Sequence, residues 1–190
     1  MKKMMTLAMM MVMTVAANAM SYTQAKNEAL FLSDKMAWEL NLTDAQYDAV
    51  YEINLDYFMS VNGRNDVFGI WWDRRNTDLQ YVLTAYQYNK YVGLSYFYRP
   101  LTWKSGSLTF NIYSHYTNRS HFYKARPTVF VSYKGGNNKK AHTHYASHKP
   151  TNGTTWRVTN SNTHRGATKP SGTIAQNTGN KKNGHFGSRR

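Results

Sequence analysis

The chain has 190 residues, no cysteine and a formal net charge of +14 at pH 7. The lack of cysteine excludes a disulfide framework, a thiol nucleophile, a cysteine-ligated zinc site and a lipid-modified cysteine. The charge is unevenly distributed: all 10 acidic residues lie at or before Asp78, whereas all 7 histidines and seventeen of the 24 lysines and arginines follow it. This asymmetry predicts either a basic arm that binds polyanions or two halves that attract each other.

The N-terminus has the pattern of a secretory signal peptide. Two lysines precede an apolar run over residues 4–16, and residues 17–19 (ANA) match a cleavage signal. We therefore predict that residues 1–19 are removed and that the mature chain is exported to a periplasm or the extracellular space. No later segment is long and apolar enough to cross a bilayer, so we expect no membrane span in the mature chain.

Two helices are predicted at the start of the mature chain. The first covers residues 24–40, with Ser21 or Thr23 as its N-cap and apolar residues at three- to four-residue spacing. After a short break, Thr43 and Gln46 match a capping box that begins the second helix. Because the link is so short, the two helices should form a hairpin.

Four carboxylates recur at four-residue intervals along the second helix, at Asp44, Asp48, Glu52 and Asp56. This spacing places them in one stripe along the helix, which we call the carboxylate stripe. The stripe is a solvated face, a docking surface for a basic segment, or a site for a hard cation. A straight helix spaces these groups about one turn apart and cannot wrap a single ion, which disfavours the metal. We expect a scaffold helix that helps to gather the basic half of the chain or a partner.

A third, long helix is predicted in the tyrosine-rich segment that follows. It begins between Asp66 and Asp73 and ends near Phe97, because Pro100 disfavours helical geometry in the residue before it. The segment has more tyrosines than one buried face needs. They are either ordinary core and rim residues or an exposed interaction face.

Beyond Pro100 the apolar pattern changes from helical spacing to alternation. Residues 101–103 and 108–113 flank a turn at residues 104–107, which predicts a β-hairpin, and residues 127–133 (PTVFVSY) form a second β-rich run. The predicted fold class is therefore α+β: a helical hairpin, a third long helix and a small antiparallel sheet, within a domain over residues 20–135.

Residues 136–190 are predicted to be a disordered basic tail. Their composition lacks apolar periodicity and buries too little surface to offset the entropy of ordering. His142, His144 and His148 have a spacing at which histidines bind zinc, copper or nickel, but no acidic residue follows Asp78 to complete a site. We therefore predict no metal site.

Residues 42–46 (LTDAQ) resemble the LTxxQ motif of the periplasmic Spy/CpxP-like proteins. The wider string over residues 40–46 looks like that of helical envelope proteins of Bacteroidetes. The resemblance implies a helical, stress-related, ATP-independent periplasmic chaperone or a regulatory accessory protein. Within it, Thr43 and Gln46 carry over as a structural cap.

The sequence contains no G-x-S-x-G elbow, no H-E-x-x-H zinc helix and no phosphate-binding glycine loop. We assign no catalytic, cofactor-binding or metal-binding residues and expect no cofactor. The leading hypothesis is a non-enzymatic exported envelope protein that binds other macromolecules, such as protein clients, in a chaperone-like role. One alternative is a binder of anionic glycan, lipid headgroups or extracellular DNA through the basic tail. Another is a small hydrolase with an unrecognised site.

Overall fold

The computed structural model describes residues 19–148. Over this range the fold is mostly helical with one small sheet, and its elements are α1 (Tyr22–Glu39), α2 (Asp44–Ser60), α3 (Ile70–Val82), α4 (Ala85–Gly93), α5 (Ser95–Tyr98), β1 (Leu101–Lys104) and β2 (Ser107–Phe110). The predicted fold class, helices followed by a small antiparallel sheet, is confirmed. The predicted signal peptide up to residue 18, and residues 149–190 of the predicted tail, lie outside the described residues.

The predicted helical hairpin is formed by α1 and α2. The Ser21 hydroxyl caps α1 by accepting a hydrogen bond from the N–H of Gln24 at 3.2 Å. At the other end Asn41 is left-handed, with φ of 50°, and the N–H of Leu42 donates to the carbonyl of Ala37 at 3.0 Å. Asparagine tolerates this conformation better than most residues, so the chain reverses within two residues.

Matching capping boxes begin α2 and α4. In α2 the Thr43 hydroxyl accepts from the N–H of Gln46 at 3.3 Å, and Gln46 Oε1 accepts from the N–H of Thr43 at 3.0 Å. In α4, Thr84 and Gln87 make the same two bonds at 3.2 and 2.9 Å. Both boxes lie in the string L-T-x-x-Q, which therefore occurs twice, the second time at residues 83–87.

The prediction of one long third helix is wrong, because the second capping box interrupts it. The helix α3 ends at Val82, Leu83 is extended with ψ of 146°, and α4 begins after Thr84. A further break at Leu94 separates α4 from α5. A threonine hydroxyl that bonds to the backbone three residues on favours a new helix start over continuation of the previous helix.

The glutamines of the two capping boxes also bind each other. Gln46 Nε2 donates to Gln87 Oε1 at 2.7 Å and to the carbonyl of Val82, at the end of α3, at 2.9 Å. Gln87 Nε2 donates to the carbonyls of Leu40 and Asn41, at the end of α1, both at 3.2 Å. Each glutamine thus caps its own helix and satisfies a carbonyl left open at the end of another. The joint between α1 and α2 is thereby fastened to the joint between α3 and α4.

The predicted β-hairpin is confirmed. Strands β1 and β2 pair antiparallel, with Leu101 opposite Phe110 and Lys104 opposite Ser107. The two connecting residues, Ser105 and Gly106, have φ of 47° and 81°. Positive φ at both positions is the geometry of the tight two-residue turns that suit the twist of paired strands.

The prediction of a strand at residues 127–133 is wrong. Thr128–Phe130 form a 3₁₀ turn instead. Thr128 is held by Asp48 of α2, and the Phe130 ring packs against the Tyr51 ring with centroids 5.7 Å apart. Contacts with α2 thus replace the ladder of hydrogen bonds that a neighbouring strand would have supplied.

The folded part continues past the predicted boundary at residue 135. Asn137 and Tyr145 are only 7% and 1% exposed, and the 3₁₀ turns Asn137–Lys139 and Ala146–His148 pack on α2 and α3. Residues 136–148, the first part of the predicted tail, therefore pack against the helices, and the rest of that predicted tail lies outside the described residues.

Candidate binding cavity

The carboxylate stripe of α2 holds the second half of the chain. Asp48 accepts from the N–H and hydroxyl of Thr128 at 2.7 and 2.5 Å. Glu52 accepts from the Tyr145 hydroxyl at 3.1 Å and from the Asn137 side-chain amide at 2.9 Å. The interpretation of these carboxylates as a solvated face is wrong.

Asp56 binds the next part of the same segment. Its carboxylate accepts from the N–H groups of Gly136 and Asn138 at 2.7 and 2.8 Å, and from the Tyr133 hydroxyl at 2.8 Å. These donors are uncharged, so the stripe gathers the basic half of the chain through backbone and neutral side chains. Asp44, in contrast, is exposed in the first turn of α2, where a negative charge favours the helix.

Acidic residues of α1 accept hydrogen bonds from tyrosines between residues 96 and 116, the part of the chain that comes before the segment bound by α2. Glu28 accepts from the Tyr113 hydroxyl, and Glu39 accepts from the hydroxyls of Tyr96, at 2.9 and 3.0 Å, and of Tyr116. Burial raises the pKa of Tyr113 and Tyr116, and the hydrogen bonds to the carboxyl groups of Glu28 and Glu39 raise it further. We call the acidic residues of α1 and α2 that accept hydrogen bonds from residues 96–145 the carboxylate clasp. They are Glu28, Asp34, Glu39, Asp48, Glu52 and Asp56.

The most buried member of the clasp fixes a loop. Asp34, fully buried, accepts from the N–H groups of Tyr123 and Lys124 at 3.0 and 2.8 Å. The neighbouring Lys35 is paired with Asp34 at 2.7 Å and donates to the carbonyl of His121. We call residues 117–127, which contain no helix or strand, the anchored loop.

Aromatic rings surround the Lys35 ammonium group. Its nitrogen lies 4.5 Å from the Phe31 ring centroid, 5.0 Å from that of Phe122 and 4.8 Å from that of Tyr123. Ring faces attract a desolvated cation, so these contacts and Asp34 offset the cost of burying the charge. The anchored loop therefore has its two aromatic residues fixed at a charged core pair.

A cavity of about 480 Å³ lies between α1, the anchored loop and the Thr128–Phe130 turn. Its volume falls within the range of about 300–1,000 Å³ that is usual for ligand sites. Its apolar wall is formed by Leu30, Phe31, Phe122, Ala125 and Phe130, and its polar wall by Asn27, Glu28, Tyr113, Arg119, Lys124 and Arg126.

Two cations of the cavity, Arg119 and Arg126, and the nearby Lys26 lie over aromatic rings of its lining. The Arg119 guanidinium lies 3.7 Å from the Tyr113 ring centroid. Arg126 and Lys26 lie 5.0 and 4.2 Å from the centroid of one ring, that of Phe130. Among the described residues the ion pairs within 4.0 Å are Lys35 with Asp34 and Arg74 with Asp78, so none of these three cations forms an ion pair at that distance.

Exposed apolar side chains occur in the cavity wall and at residues that adjoin it in sequence or by ring stacking. Phe122, in the cavity wall, is 43% exposed, and Val131, just beyond Phe130, is 73% exposed. Trp38 is 57% exposed and stacks on Tyr123, with ring centroids 4.8 Å apart and planes 8° from parallel. We call the cavity together with Trp38, Tyr123 and Val131 the cavity face.

The other polar cluster of the core has a packing role. Buried Arg75 donates to Asn54 Oδ1 and the Tyr91 hydroxyl, both at 2.7 Å, and to the carbonyl of Phe97 at 3.1 Å. Tyr91 donates in turn to Asn76 Oδ1 at 2.6 Å. These bonds join α2, α3, α4 and α5 around one guanidinium, whose charge would otherwise be costly to bury.

The tyrosines of the predicted third helix are mostly core and rim residues. Tyr88 and Tyr91 are buried, Tyr81, Tyr96 and Tyr98 are half-buried, and Tyr86 is 78% exposed. The hypothesis of a continuous exposed tyrosine face on this segment is therefore wrong. The cavity face carries exposed aromatic side chains of its own, Trp38, Phe122 and Tyr123.

Two of the three histidines considered as metal ligands, His144 and His148, contact Tyr145. The rings of His144 and His148 contact the Tyr145 ring with centroids 4.8 and 5.4 Å apart. Burial and neighbouring positive charges lower the pKa of His144. Within residues 19–148 no three histidine or acidic side chains come close enough to hold a metal ion.

The sequence contains a signal for the cavity that composition alone does not reveal. Residues 119–126 (RSHFYKAR) combine basic and aromatic side chains within eight positions, and this short run supplies most of the cavity wall that α1 does not. In the part of the chain that the structure describes, no helix combines the length and hydropathy needed to cross a membrane. Comparisons with family models, with curated proteins and with solved structures give no match to this chain.

Proposed function

We propose that this protein is an exported, non-enzymatic envelope protein that binds other polypeptides through the cavity face, in a chaperone-like role. The observation that carries the proposal is the cavity itself: aromatic walls, cations that form no ion pair within 4.0 Å among the described residues, and exposed rings beside it. Contiguous exposed aromatic surface with arginine at its edge is the composition of protein-binding surfaces.

The fixed position of the anchored loop supports the proposal. Its backbone is bound by buried Asp34, and its aromatic residues surround Lys35. A surface held in place before binding loses less conformational entropy when a partner docks, which strengthens binding.

The paired L-T-x-x-Q strings support the envelope part of the proposal. The motif that resembles the Spy/CpxP-like proteins occurs at residues 42–46 and again at 83–87, and the two copies are in contact. A resemblance that rests on two interacting copies is more specific than one that rests on a single cap. Export itself rests on the signal-peptide pattern of residues 1–19.

The proposal is tested by aggregation of an unfolded client. A chemically unfolded enzyme is diluted into buffer with the chain that begins at Met20, and light scattering is followed. We expect stoichiometric amounts to suppress scattering, and the Trp38→Ser and Phe122→Ser variants to suppress it less. Ile70, 62% exposed and outside the cavity face, provides the matched control Ile70→Ser. Absence of suppression by the unaltered chain refutes the proposal.

Binding of anionic polymers is a second candidate, favoured by the run of basic residues after Asp78 that no acidic side chain offsets. Such binding should weaken steeply with salt, because it releases counterions. The test is deletion of residues 149–190, which leaves the packed residues 136–148 in place. Loss of salt-sensitive binding to double-stranded DNA or heparin supports this candidate, and unchanged binding refutes it.

A further inference from the structure

The charges around the cavity are unbalanced. Arg119, Lys124 and Arg126 line it against one acidic side chain, Glu28, and Lys26 lies over the same Phe130 ring as Arg126. Like charges gathered at one concave surface repel each other, and a bound anion relieves this repulsion.

Glu28 does little to neutralise these cations. Its carboxylate already accepts from the Tyr113 hydroxyl. Burial raises the pKa of Glu28, although the bond from Tyr113 and the charge of Arg119 oppose the shift. Arg119, whose charge acts on Glu28, is not paired with it within 4.0 Å, since the described ion pairs lie elsewhere. A carboxylate of a bound ligand can therefore pair with Arg119, Lys124 or Arg126, none of which forms an ion pair within 4.0 Å among the described residues.

The stacking of the arginines suits them to carboxylates. The Arg119 guanidinium carbon lies 3.7 Å from the Tyr113 ring centroid, and a guanidinium that stacks on a ring leaves the N–H groups along its edge open to an acceptor. This edge matches the two oxygens of a carboxylate, and such bidentate pairs are among the stronger hydrogen bonds of proteins.

The apolar wall accepts the group next to that carboxylate. Leu30, Phe31 and Phe130 form its inner part, and Phe122 lies at its exposed edge. The cavity volume of about 480 Å³ is enough for one or two large side chains. An aromatic or large aliphatic group therefore fits beside the bound acid.

From this arrangement we infer that the cavity binds extended polypeptide segments in which aspartate or glutamate lies next to a large aromatic or aliphatic residue. The inference rests on the proposed polypeptide binding and names the class of segment that is bound. The acid binds the edges of Arg119 and Arg126, and its neighbour packs on Phe31 and Phe130. Because Arg119, Lys124 and Arg126 line a concave site, a peptide side chain can reach them more easily than the flat surface of a bilayer can.

The test is fluorescence anisotropy with labelled nonapeptides. The probe is GSEFEFESG, the uncharged comparison is GSQFQFQSG, and the protein is the chain that begins at Met20. We expect the glutamate peptide to bind about tenfold more tightly or better, the difference expected for one charge-assisted pair. The variant R119S/R126S should lose most of this preference while still binding the uncharged peptide.

The matched control is R64S/K104S, which removes two exposed cations outside the cavity lining. It should retain the preference, and circular dichroism should show both double variants folded. If R119S/R126S fails to fold, the charge-retaining variant R119K/R126K replaces it, and loss of preference through the lost bidentate geometry is then expected.

The outcomes separate this inference from the proposed function. Equal binding of both peptides by the unaltered chain overturns the inference but leaves polypeptide binding standing. Binding of neither peptide, together with absence of client protection, overturns both. A third outcome combines three results: vesicles of anionic phosphatidylglycerol bind the protein, R119S/R126S does not bind them, and the two peptides bind equally. In that case the site recognises a lipid surface and the inference is overturned.

Discussion

Gln46 Nε2 lies 2.7 Å from Gln87 Oε1, and this bond joins the starts of two helices that are 41 residues apart in sequence. Both side chains are nearly fully buried, at 5% and 8% exposed. Each also completes the capping box of its own helix. Because each glutamine both caps a helix and bonds across the joint, the stability of one joint depends on the other.

We expect Gln46→Ala to lower the free energy of unfolding by about 2–4 kcal/mol. It removes a cap, worth about 1 kcal/mol, and leaves the buried carbonyl of Val82 without its donor, at about 1–3 kcal/mol. The measurement is denaturation by urea. Gln24→Ala, on the exposed first turn of α1, is the control and should change stability by less than about 0.5 kcal/mol.

The double variant Q46A/Q87A tests the coupling. Since the two side chains bond to each other, the losses of the single variants should not add, and the double variant should be more stable than their sum predicts by about 0.5–3 kcal/mol. Additive losses would contradict the coupling and leave two independent caps.

Removal of one tyrosine hydroxyl from the clasp should be costly. The Tyr133 hydroxyl donates to Asp56 and accepts from the N–H of Asn137. Tyr133→Phe leaves both groups without this partner, so we expect a loss of about 1.5–3 kcal/mol, the range for bonds to charged groups. Tyr86→Phe, at a side chain 78% exposed, is the matched control. Equal stability of the two variants would show that the clasp contributes nothing measurable.

Gly135 should not tolerate a side chain. Its φ is +98°, and a Cβ atom there would lie 3.0 Å from Met59 Sδ and 3.2 Å from Asp56 Oδ1. We expect Gly135→Ala to destabilise by about 1–3 kcal/mol through backbone strain and displacement of the clasp. Gly93→Ala is the control, because a Cβ at Gly93 would meet no atom within 4 Å and its φ is not positive. A thermal denaturation curve for each variant decides the comparison.

Stability should fall in alkali. Burial raises the pKa of several tyrosines above the usual value of 10, and that of Tyr91 reaches about 12. The unfolded chain loses its phenolic protons near pH 10, whereas the folded chain keeps them. The stabilisation linked to these groups is therefore complete below pH 10 and declines as the pH rises towards the folded pKa. The other tyrosines shifted in this direction are Tyr47, Tyr51, Tyr57, Tyr88, Tyr96, Tyr98, Tyr113, Tyr116, Tyr133 and Tyr145.

Between its pKa in the unfolded chain and its pKa in the folded chain, each such tyrosine lowers the free energy of unfolding by about 1.4 kcal/mol per pH unit. With several acting together, unfolding should occur in a narrow range above pH 10. The measurement is absorbance of tyrosinate near 295 nm alongside circular dichroism. We expect most tyrosinate to appear in one step with loss of helix, and gradual ionisation of a still folded chain would contradict this.

The helical hairpin and its caps were predictable because their causes are local. Ser21 bonds three residues ahead, Thr43 and Gln46 form a pattern of four residues, and apolar spacing marks both helices. The same chemistry also marked the break at Thr84, within residues 83–87, but regular apolar spacing over that segment suggested one helix. At Thr84 the capping box outweighs periodicity, because its two bonds and the contact of Gln87 with Gln46 favour a new helix start.

The charge division between the two halves of the chain was visible in composition, and so was the possibility that the halves attract each other. The partners were not predictable. Asp56 and Glu52 bind backbone N–H groups, tyrosine hydroxyls and an amide, and such neutral donors occur throughout the sequence. Residues 136–148 have the composition of a disordered segment, yet Tyr145 and Asn137 are held because the carboxylates of α2 meet them.

The sequence by itself determined the helical hairpin, its two caps, the β-hairpin and the separation of acidic from basic residues, because each depends on neighbours within a few positions. Only the tertiary structure decided the cavity, where Glu28 and Phe31 of α1 meet Arg119 and Phe130 about ninety residues later. The physical reason is that buried Asp34 and Lys35 bind the backbone of the anchored loop. No local pattern specifies which backbone groups a buried carboxylate will find.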